Sequence, residues 1–211
     1  MPGETAPVAG RRDRKKQQTR AALMTAALRL VDERGLDGVT VEEISEAAHV
    51  SPRTFFNYFA TKDDALIGEP LDDGASLRDR LLALPSDVPL VAALSEVVTP
   101  SVEQIQADRD LWLLRMRVLK NNPQLLPALV ARGAQTEQDF IAAVAARTGL
   151  PTDHAFPQLA ATLTGAAFRT AMIRWAGADD GRQLSDFVRE AFGILAAGLA
   201  EPAPTNEEVT E

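Results

Sequence analysis

The sequence predicts an all-α protein, and two observations lead to that prediction. Alanine and leucine dominate the chain while runs of β-branched residues are short, a composition that favours helices over strands. Apolar residues also recur at helical spacing, and residues that cap helices stand where those patterns begin. The 211 residues suffice for one small and one medium domain.

Three helices are predicted in the N-terminal third. Apolar spacing predicts a helix over 14–34. Thr40 followed by Glu43 has the pattern of a capping box, in which each residue bonds to the backbone of the other. Ser51 and Pro52 then form an N-cap followed by a proline at the first helical position. Two short helices with a tight turn between them, packed on a longer one, predict a helix-turn-helix module.

Four of the eleven aromatic residues stand in the stretch SPRTFFNYFATK, residues 51–62. Phe55 and Phe59 are four residues apart and therefore share one helix face. We expect these two rings to anchor the second short helix in the core. Phe56 and Tyr58 fall on other faces, where we expect them to point toward a DNA backbone.

The second helix of such a module reads the DNA major groove through its N-terminal residues. Arg53 can donate two hydrogen bonds to guanine, and Asn57 can read adenine or contact a phosphate. Lys62 lies at the next helix start, within reach of a phosphate. The residues predicted to contact DNA are Thr40, Ser51, Pro52, Arg53, Thr54, Phe56, Asn57, Tyr58 and Lys62, with Arg11, Arg12 and Arg14 in a basic arm.

Charge is distributed unevenly along the chain. Residues 11–20 contain six basic residues and one acidic residue, whereas the net charge of −8 belongs entirely to residues 67–211. A basic arm ahead of an acidic body predicts a local anion-binding surface; a solvated tail is the alternative. The predicted organisation is a disordered basic arm (1–13), a helix-turn-helix domain (14–67), a larger helical ligand-binding and dimerisation domain (68–200) and a disordered acidic tail (201–211).

Composition excludes several kinds of site. Cysteine is absent, and His49 and His154 are the only histidines, so we expect no metal site, no cofactor and no catalytic residues. Motifs of P-loop, zinc-protease or serine-hydrolase type are also absent. There is no run of about 18 apolar residues that would span a membrane and no secretory signal pattern. We therefore expect a cytoplasmic protein.

The larger domain is predicted to contain helices at about 75–84, 89–106, 108–120, 123–148, 156–177 and 183–199. Apolar stripes on these helices are either plain core or the lining of a pocket between helices. An anionic ligand would need one arginine, and Arg115, Arg117 and Arg169 are the candidates. The predicted pocket residues are Trp112, Arg115, Met116, Leu119, Phe140, Phe168, Arg169 and Met172.

The last two helices combine small residues with large apolar ones, a pattern that allows close helix packing. They either close the core of one chain or form a self-complementary face. The residues predicted for that face are Leu159, Leu163, Ile173, Trp175, Phe187, Phe192 and Leu195.

The stretch TVEEISEAAHVSPRTFFNYFATKDDAL resembles the DNA-binding signature of TetR-family transcriptional regulators. The positions that agree in register are Thr40, Ile44, Ala48, Val50, Ser51, Thr54, Phe55, Tyr58, Phe59, Lys62 and Leu66. The chain departs from that signature at Ser45, at His49 in place of the turn glycine, and at Phe56 in place of tyrosine. With the first helix the resemblance covers about residues 14–67.

The remainder resembles, more loosely, the ligand-binding domains of TetR-family members of the mycofactocin-regulator type, described as acyl-CoA-like ligand-binding. DRDLWLLRMRVLKNNPQLLPALV, ARTGL and AFRTAMIRWAG carry this resemblance. It implies a homodimer built on the last two helices, a palindromic double-stranded DNA operator and a small hydrophobic or acyl-CoA-like ligand that releases a repressor. The competing hypotheses are a hydrophobic-ligand carrier without DNA binding, and an enzyme.

Overall fold

The computed structural model describes residues 11–68 and 77–200, and of residues 11–14 only the backbone. Over these ranges the chain is helical, with no strand. The α-helices are α1 (Arg11–Arg34), α2 (Val41–Ala47), α3 (Pro52–Phe56), α4 (Lys62–Ile67), α5 (Leu77–Ala83), α6 (Leu90–Ala107), α7 (Arg109–Asn121), α8 (Leu126–Thr148), α9 (Ala155–Ala176) and α10 (Leu184–Ala196), with a 3₁₀ turn at Pro123–Leu125. The prediction of an all-α fold is confirmed.

The described residues divide into two compact units. Residues 11–68 and 108–133 form the first unit, and residues 77–107 and 134–200 form the second. In the first unit, α7 packs on α1 and α4. The sequence boundary near residue 68 had grouped α7 with the larger domain, so the division by contact differs from it over 108–133.

The core of the first unit surrounds α1. Its helix-turn-helix members are Ile44, Phe55 and Phe59, which are 0%, 0% and 4% exposed. The other buried members come from α1, the loop after it, α4, α7 and the 3₁₀ turn: Leu23, Ala27, Leu28, Val31, Leu36, Val39, Ala65, Leu66, Ile67, Val118, Leu119 and Leu125. The predicted inner role of Phe55 and Phe59 is confirmed.

The turn between α2 and α3 is held by backbone conformation and by hydrogen bonds. His49 has a φ of +55°, in the left-handed region that glycine adopts most easily and histidine better than most residues. The amide of Val50 donates to the carbonyl of Ser45 at 2.9 Å, and the amide of His49 donates to Glu46 at 3.0 Å. These bonds satisfy the last carbonyls of α2 and reverse the chain toward Ser51.

In the second unit, α10 packs against α6 and α9. Arg147 ties the loop after α5 to α8. Its guanidinium nitrogens donate hydrogen bonds of 2.6–3.1 Å to backbone carbonyls, those of Leu81, Leu84, Pro85 and Val88. A single planar side chain therefore satisfies one carbonyl of the last turn of α5, that of Leu81, and three carbonyls of the loop that follows.

One predicted boundary is corrected. α1 begins at Arg11, so residues 11–13, predicted as part of a disordered arm, have helical backbone. α3 ends at Phe56 and the chain continues in turns, with Tyr58 and Phe59 amides both donating to the Phe55 carbonyl. The predicted arm segment 1–10 and the acidic tail 201–211 lie outside the described residues.

We expect Phe55→Ala to lower the free energy of unfolding by about 3–5 kcal/mol, because it removes a fully buried ring. Phe56→Ala is the matched control. Its ring is 57% exposed and meets Phe55 edge-on with centroids 5.5 Å apart, so its loss should cost less than about 1.5 kcal/mol. Urea unfolding followed by circular dichroism measures both, and equal losses would contradict the assigned orientation.

Candidate functional site

The solvent face of α3 carries the side chains that the sequence predicted to read DNA. Pro52, Arg53, Phe56 and Asn57 are all exposed. Arg53 forms no hydrogen bond or ion pair with any residue that the structure describes, so its guanidinium is available to an external acceptor. The opposite face of the same helix is the buried anchor Phe55, which fixes the direction in which Arg53 points.

Two of the predicted hydroxyl contacts, those of Thr40 and Ser51, are engaged in capping, and the Thr54 hydroxyl is bonded to Ser51. Ser51 Oγ accepts from the Thr54 amide at 3.1 Å and lies 2.9 Å from the Thr54 hydroxyl. Thr40 Oγ1 accepts from the Glu43 amide at 3.2 Å while the Glu43 carboxylate accepts from the Thr40 amide at 2.9 Å. Hydrogen bonds from the Thr40 amide and hydroxyl lower the pKa of Glu43, with Arg34 adding to the effect. Both predicted caps are confirmed.

Tyr58 is half-buried and packs against the core of the first unit. This position differs from that of Phe56, which is exposed. The expectation that both rings point outward therefore fits Phe56 better than Tyr58, whose ring covers the edge of the core. The reason is spacing: Tyr58 lies one residue from the anchor Phe59, in the turn after α3 has ended.

Lys62 has an internal role that the sequence did not indicate. Its Nζ donates to the backbone carbonyls of Leu36 at 2.5 Å and Val39 at 2.8 Å. These carbonyls belong to the loop between α1 and α2, so the ammonium joins the start of α4 to that loop. Two of its three donors are thereby used, which weakens the prediction of a phosphate contact at Lys62.

The N-terminal end of α1 is basic. Lys15 and Lys16, in the first turns of α1, are exposed. They lie just after the predicted arm in the sequence. The side chains of Arg11, Arg12 and Arg14 lie outside the described atoms. Their predicted phosphate contacts remain predictions.

The predicted pocket residues divide between the two units. Trp112, Arg115, Met116 and Leu119 lie on α7 in the first unit, and Phe140, Phe168, Arg169 and Met172 lie on α8 and α9 in the second. Leu119 belongs to the core of the first unit and Met116 packs against it, as the plain-core alternative predicts for these two residues. The pocket as a whole remains a prediction.

The three candidate arginines have different surroundings. Arg117 forms two hydrogen bonds of 2.7 Å with the carboxylate of Asp32, which raise the pKa of Arg117 and lower that of Asp32. Arg169 is exposed on α9. Arg115 is partly buried, and its Nε has no hydrogen-bond partner among the described residues.

A cavity of about 300 Å³ lies in the second unit between α6 and α10. Its lining is mostly polar: Ser95, Thr99, Val102, Glu103, Gln106, Gln183, Ser185, Val188 and Arg189. None of the predicted pocket residues lines it. No pattern in the sequence indicated this cavity, because its residues come from helices about 80 positions apart.

An exposed apolar stripe runs along α9. Phe156, Leu159, Leu163 and Ile173 are 47%, 60%, 39% and 65% exposed, and their separations of three, four and ten residues keep them on one face. Ala166 and Thr170 continue the stripe at heptad spacing between Leu163 and Ile173. Leu159 and Leu163 were predicted on such a face.

Three other residues predicted for this face are buried within the chain. Trp175, Phe187 and Phe192 are each 3% exposed, so they cannot present a surface to a partner, which corrects their assignment. Leu195 is half-buried. Ile173, also predicted for this face, is exposed, whereas the sequence missed Phe156 and Ile194 because an apolar residue at a helix surface has the same pattern as one in a core.

A helix-turn-helix with an inner aromatic anchor and an outward arginine, joined to a larger helical unit, defines a DNA-binding transcriptional regulator. The chain belongs to the TetR family of bacterial regulatory proteins, whose model matches residues 23–67. Residues 88–200 match the MftR C-terminal domain. This membership confirms the resemblance drawn from the sequence and favours the regulator over the carrier and the enzyme.

Two curated relatives are similar over most of the chain. The transcriptional regulator TcmR of Streptomyces glaucescens is 32% identical over 175 residues, which cover 79% of this chain and 76% of TcmR. A Mycobacterium tuberculosis protein named as a mycofactocin biosynthesis transcriptional regulator, MftR, is 27% identical and covers 92% of this chain and 97% of its own.

Among solved structures, Thermus thermophilus FadR, a TetR-family transcriptional repressor in complex with lauroyl-CoA, is 25% identical with a TM-score of 0.52. That match covers 88% of this chain and 97% of FadR. Bacillus halodurans FadR, 17% identical with a TM-score of 0.53 over 93% of this chain and all of its own, has the same fold. In the ranges 11–68 and 77–200, no helix has the length and hydrophobicity needed to cross a bilayer.

We expect Lys62→Met to lower the free energy of unfolding by about 1.5–3 kcal/mol, since it removes charged hydrogen bonds to two carbonyls. DNA affinity should fall while the dependence of log affinity on log salt keeps its slope. Lys15→Met removes the same charge from an exposed position and should leave stability unchanged. Unchanged stability with a slope reduced by about 0.9 would show instead that Lys62 contacts a phosphate.

Proposed function

We propose that the chain is a homodimeric repressor that binds a palindromic operator and leaves it when a small hydrophobic or acyl-CoA-like ligand binds the helical body. The observation that carries the DNA half of this proposal is the exposed, unpaired Arg53 on a helix whose other face is fully buried. The operator and the genes that it controls would lie in the cytoplasm, so we expect the protein there.

Base reading is assigned to α3. Arg53 can donate two parallel hydrogen bonds to the O6 and N7 atoms of guanine, and Asn57 can pair with the edge of adenine. Ser51, Thr54 and Thr40 lie at helix N-termini, where hydroxyls and amides favour phosphate oxygens. The basic arm of Arg11, Arg12 and Arg14 would add sequence-independent contacts to phosphates or the minor groove.

Dimerisation is assigned to the apolar stripe on α9. Exposed leucine, isoleucine and phenylalanine side chains at heptad spacing favour burial against an identical helix related by a two-fold axis. A two-fold dimer would place two α3 helices about 34–36 Å apart along DNA, one helical turn.

The ligand class is proposed from the relatives. FadR of Thermus thermophilus, which binds lauroyl-CoA, covers nearly the whole chain at 25% identity. A ligand that binds better to a dimer with its α3 helices away from this spacing weakens DNA binding. By linkage, DNA weakens ligand binding by the same factor.

We expect Arg53→Ala to reduce the ratio of specific to random-duplex affinity by about 5- to 150-fold, as one bidentate base contact is worth about 1–3 kcal/mol. Fluorescence anisotropy with DNA from upstream of the protein's own gene, and with a shuffled duplex, measures that ratio.

Arg78→Ala is the matched control for Arg53→Ala, since it removes one exposed arginine from α5 in the second unit. It should leave the ratio unchanged. Equal losses on both duplexes for Arg53→Ala would show a phosphate contact instead of base reading.

We expect Ile173→Glu to raise the dimer dissociation constant at least tenfold, because it places a charge in an apolar interface at a cost above about 1.4 kcal/mol. Sedimentation equilibrium measures the change. Val130→Glu, at an α8 residue that is 68% exposed, is the control with the same chemistry. A dimer unaffected by Ile173→Glu would remove the stripe from the interface.

A further inference from the structure

We propose that Arg115 is the anion-binding residue of the ligand site, and that its guanidinium binds a phosphate or carboxylate group of the ligand beside the last turn of α4. This inference rests on the proposed ligand-responsive function. It selects one arginine among three that the sequence left equivalent, and it links ligand binding to the helix that follows the DNA-reading element.

Arg115 is a partly buried cation that forms no ion pair with the residues that the structure describes. Its Nε is enclosed, and no described residue accepts a hydrogen bond from it. Burial lowers the pKa of Arg115, and the positive charge of Arg20 lowers it further. Since an arginine keeps its proton in proteins, two positive charges lie close together there. Buried charges are ordinarily paired, so this arrangement favours an external anion.

Two carboxylates of the same unit, those of Asp32 and Asp64, are engaged elsewhere. Asp32 is held by Arg117 through two bonds. Asp64 accepts from Thr61 and lies 3.7 Å from Arg132. Arg117 is paired and Arg169 is exposed, so neither needs a ligand anion to balance a buried charge. Arg115 is partly buried and does need one.

Gly68 brings the end of α4 close to the Arg115 guanidinium. It caps α4 with a φ of +66°, and a Cβ built on it would lie 2.9 Å from Arg115 Cζ and Nη2 and 2.7 Å from Met24 Cε. Any larger residue would therefore force these side chains to shift. The guanidinium and the Met24 methyl thus both lie close to the backbone at the end of α4, which suits the polar end of an amphiphile.

This geometry connects the ligand to the DNA-binding helices. Lys62 at the start of α4 is bonded to the α1–α2 loop, and Gly68 at its end lies against Arg115. An anion that repositions Arg115 changes the space available to Gly68, and α4 moves with it. The ligand then binds more tightly to the conformation in which α4 has moved. Such a difference in affinity between two conformations is what an allosteric effect requires.

The test measures release of the protein from its operator by lauroyl-CoA, followed by fluorescence anisotropy. We expect Arg115→Met to bind the ligand-free operator within about threefold of the wild type and to need about 10- to 100-fold more lauroyl-CoA for release, the loss typical of one charged hydrogen bond. Arg115→Lys, which restores the charge without the fork, should fall between. Arg78→Met, at an exposed arginine of α5 that lies outside the predicted pocket, should match the wild type.

Three further probes identify the source of the anion. Dodecanoate presents a carboxylate, coenzyme A presents phosphates without the acyl chain, and methyl dodecanoate is neutral. If lauroyl-CoA and coenzyme A both act more weakly on Arg115→Met than on the wild type, the bound anion is a phosphate. If dodecanoate acts more weakly on the variant, the bound anion is a carboxylate. Binding of methyl dodecanoate, measured by calorimetry, should be the same in wild type and Arg115→Met; an equal loss for this neutral ester overturns the inference.

Other outcomes separate this inference from the proposed function. If lauroyl-CoA releases Arg115→Met as readily as the wild type, the inference is wrong while the proposed function stands. If Arg115→Met and Arg115→Lys both lose the operator without ligand, Arg115 holds the DNA-binding unit together and the inference is wrong. If no probe releases the wild type, the proposed ligand class fails together with the inference, and operator binding remains as its own finding.

Discussion

The direction of the DNA-reading helix depends on two phenylalanines. α3 is five residues long, far below the length at which a helix is stable in water. It persists because Phe55 and Phe59 are buried against α1, each burial contributing about 1.5–3 kcal/mol. With those rings fixed inward, Arg53 and Asn57 have only the solvent side available, so the core of the unit sets the geometry of its DNA-facing surface.

Hydrogen bonds at the helix ends pair backbone groups that core packing leaves without partners. Each short helix exposes unpaired amides and carbonyls, and Thr40, Ser51 and Thr61 accept from the first amides of α2, α3 and α4. Lys62 pairs backbone groups that are more distant in sequence, because its ammonium donates hydrogen bonds to two loop carbonyls. Caps of this kind contribute about 1 kcal/mol each, so together they hold the helices in register.

Arginines of similar appearance in sequence differ in their electrostatic state. Arg117 is neutralised by Asp32, whereas Arg115, two residues earlier on α7, points about 200° away into surroundings that hold Arg20 and Gly68. The same separation of faces operates on α9, where Trp175 is buried and Ile173 is exposed. A shift of two residues along a helix therefore decides whether a side chain stabilises the chain or remains available to a ligand or partner.

The sequence by itself determined the all-α fold, the order of helices and the helix-turn-helix, because caps, turn residues and 3.6-residue spacing act between neighbours in the chain. It also predicted α3 as the reading helix, with Phe55 and Phe59 on its inner face. The tertiary structure was needed to show that Lys62 bonds to Leu36 and Val39, that Arg117 and not Arg115 is paired with a carboxylate among the described residues, and that Trp175 is core. The physical reason is that charge pairing and burial depend on residues distant in sequence, as with Asp32 and Arg117, which are 85 positions apart.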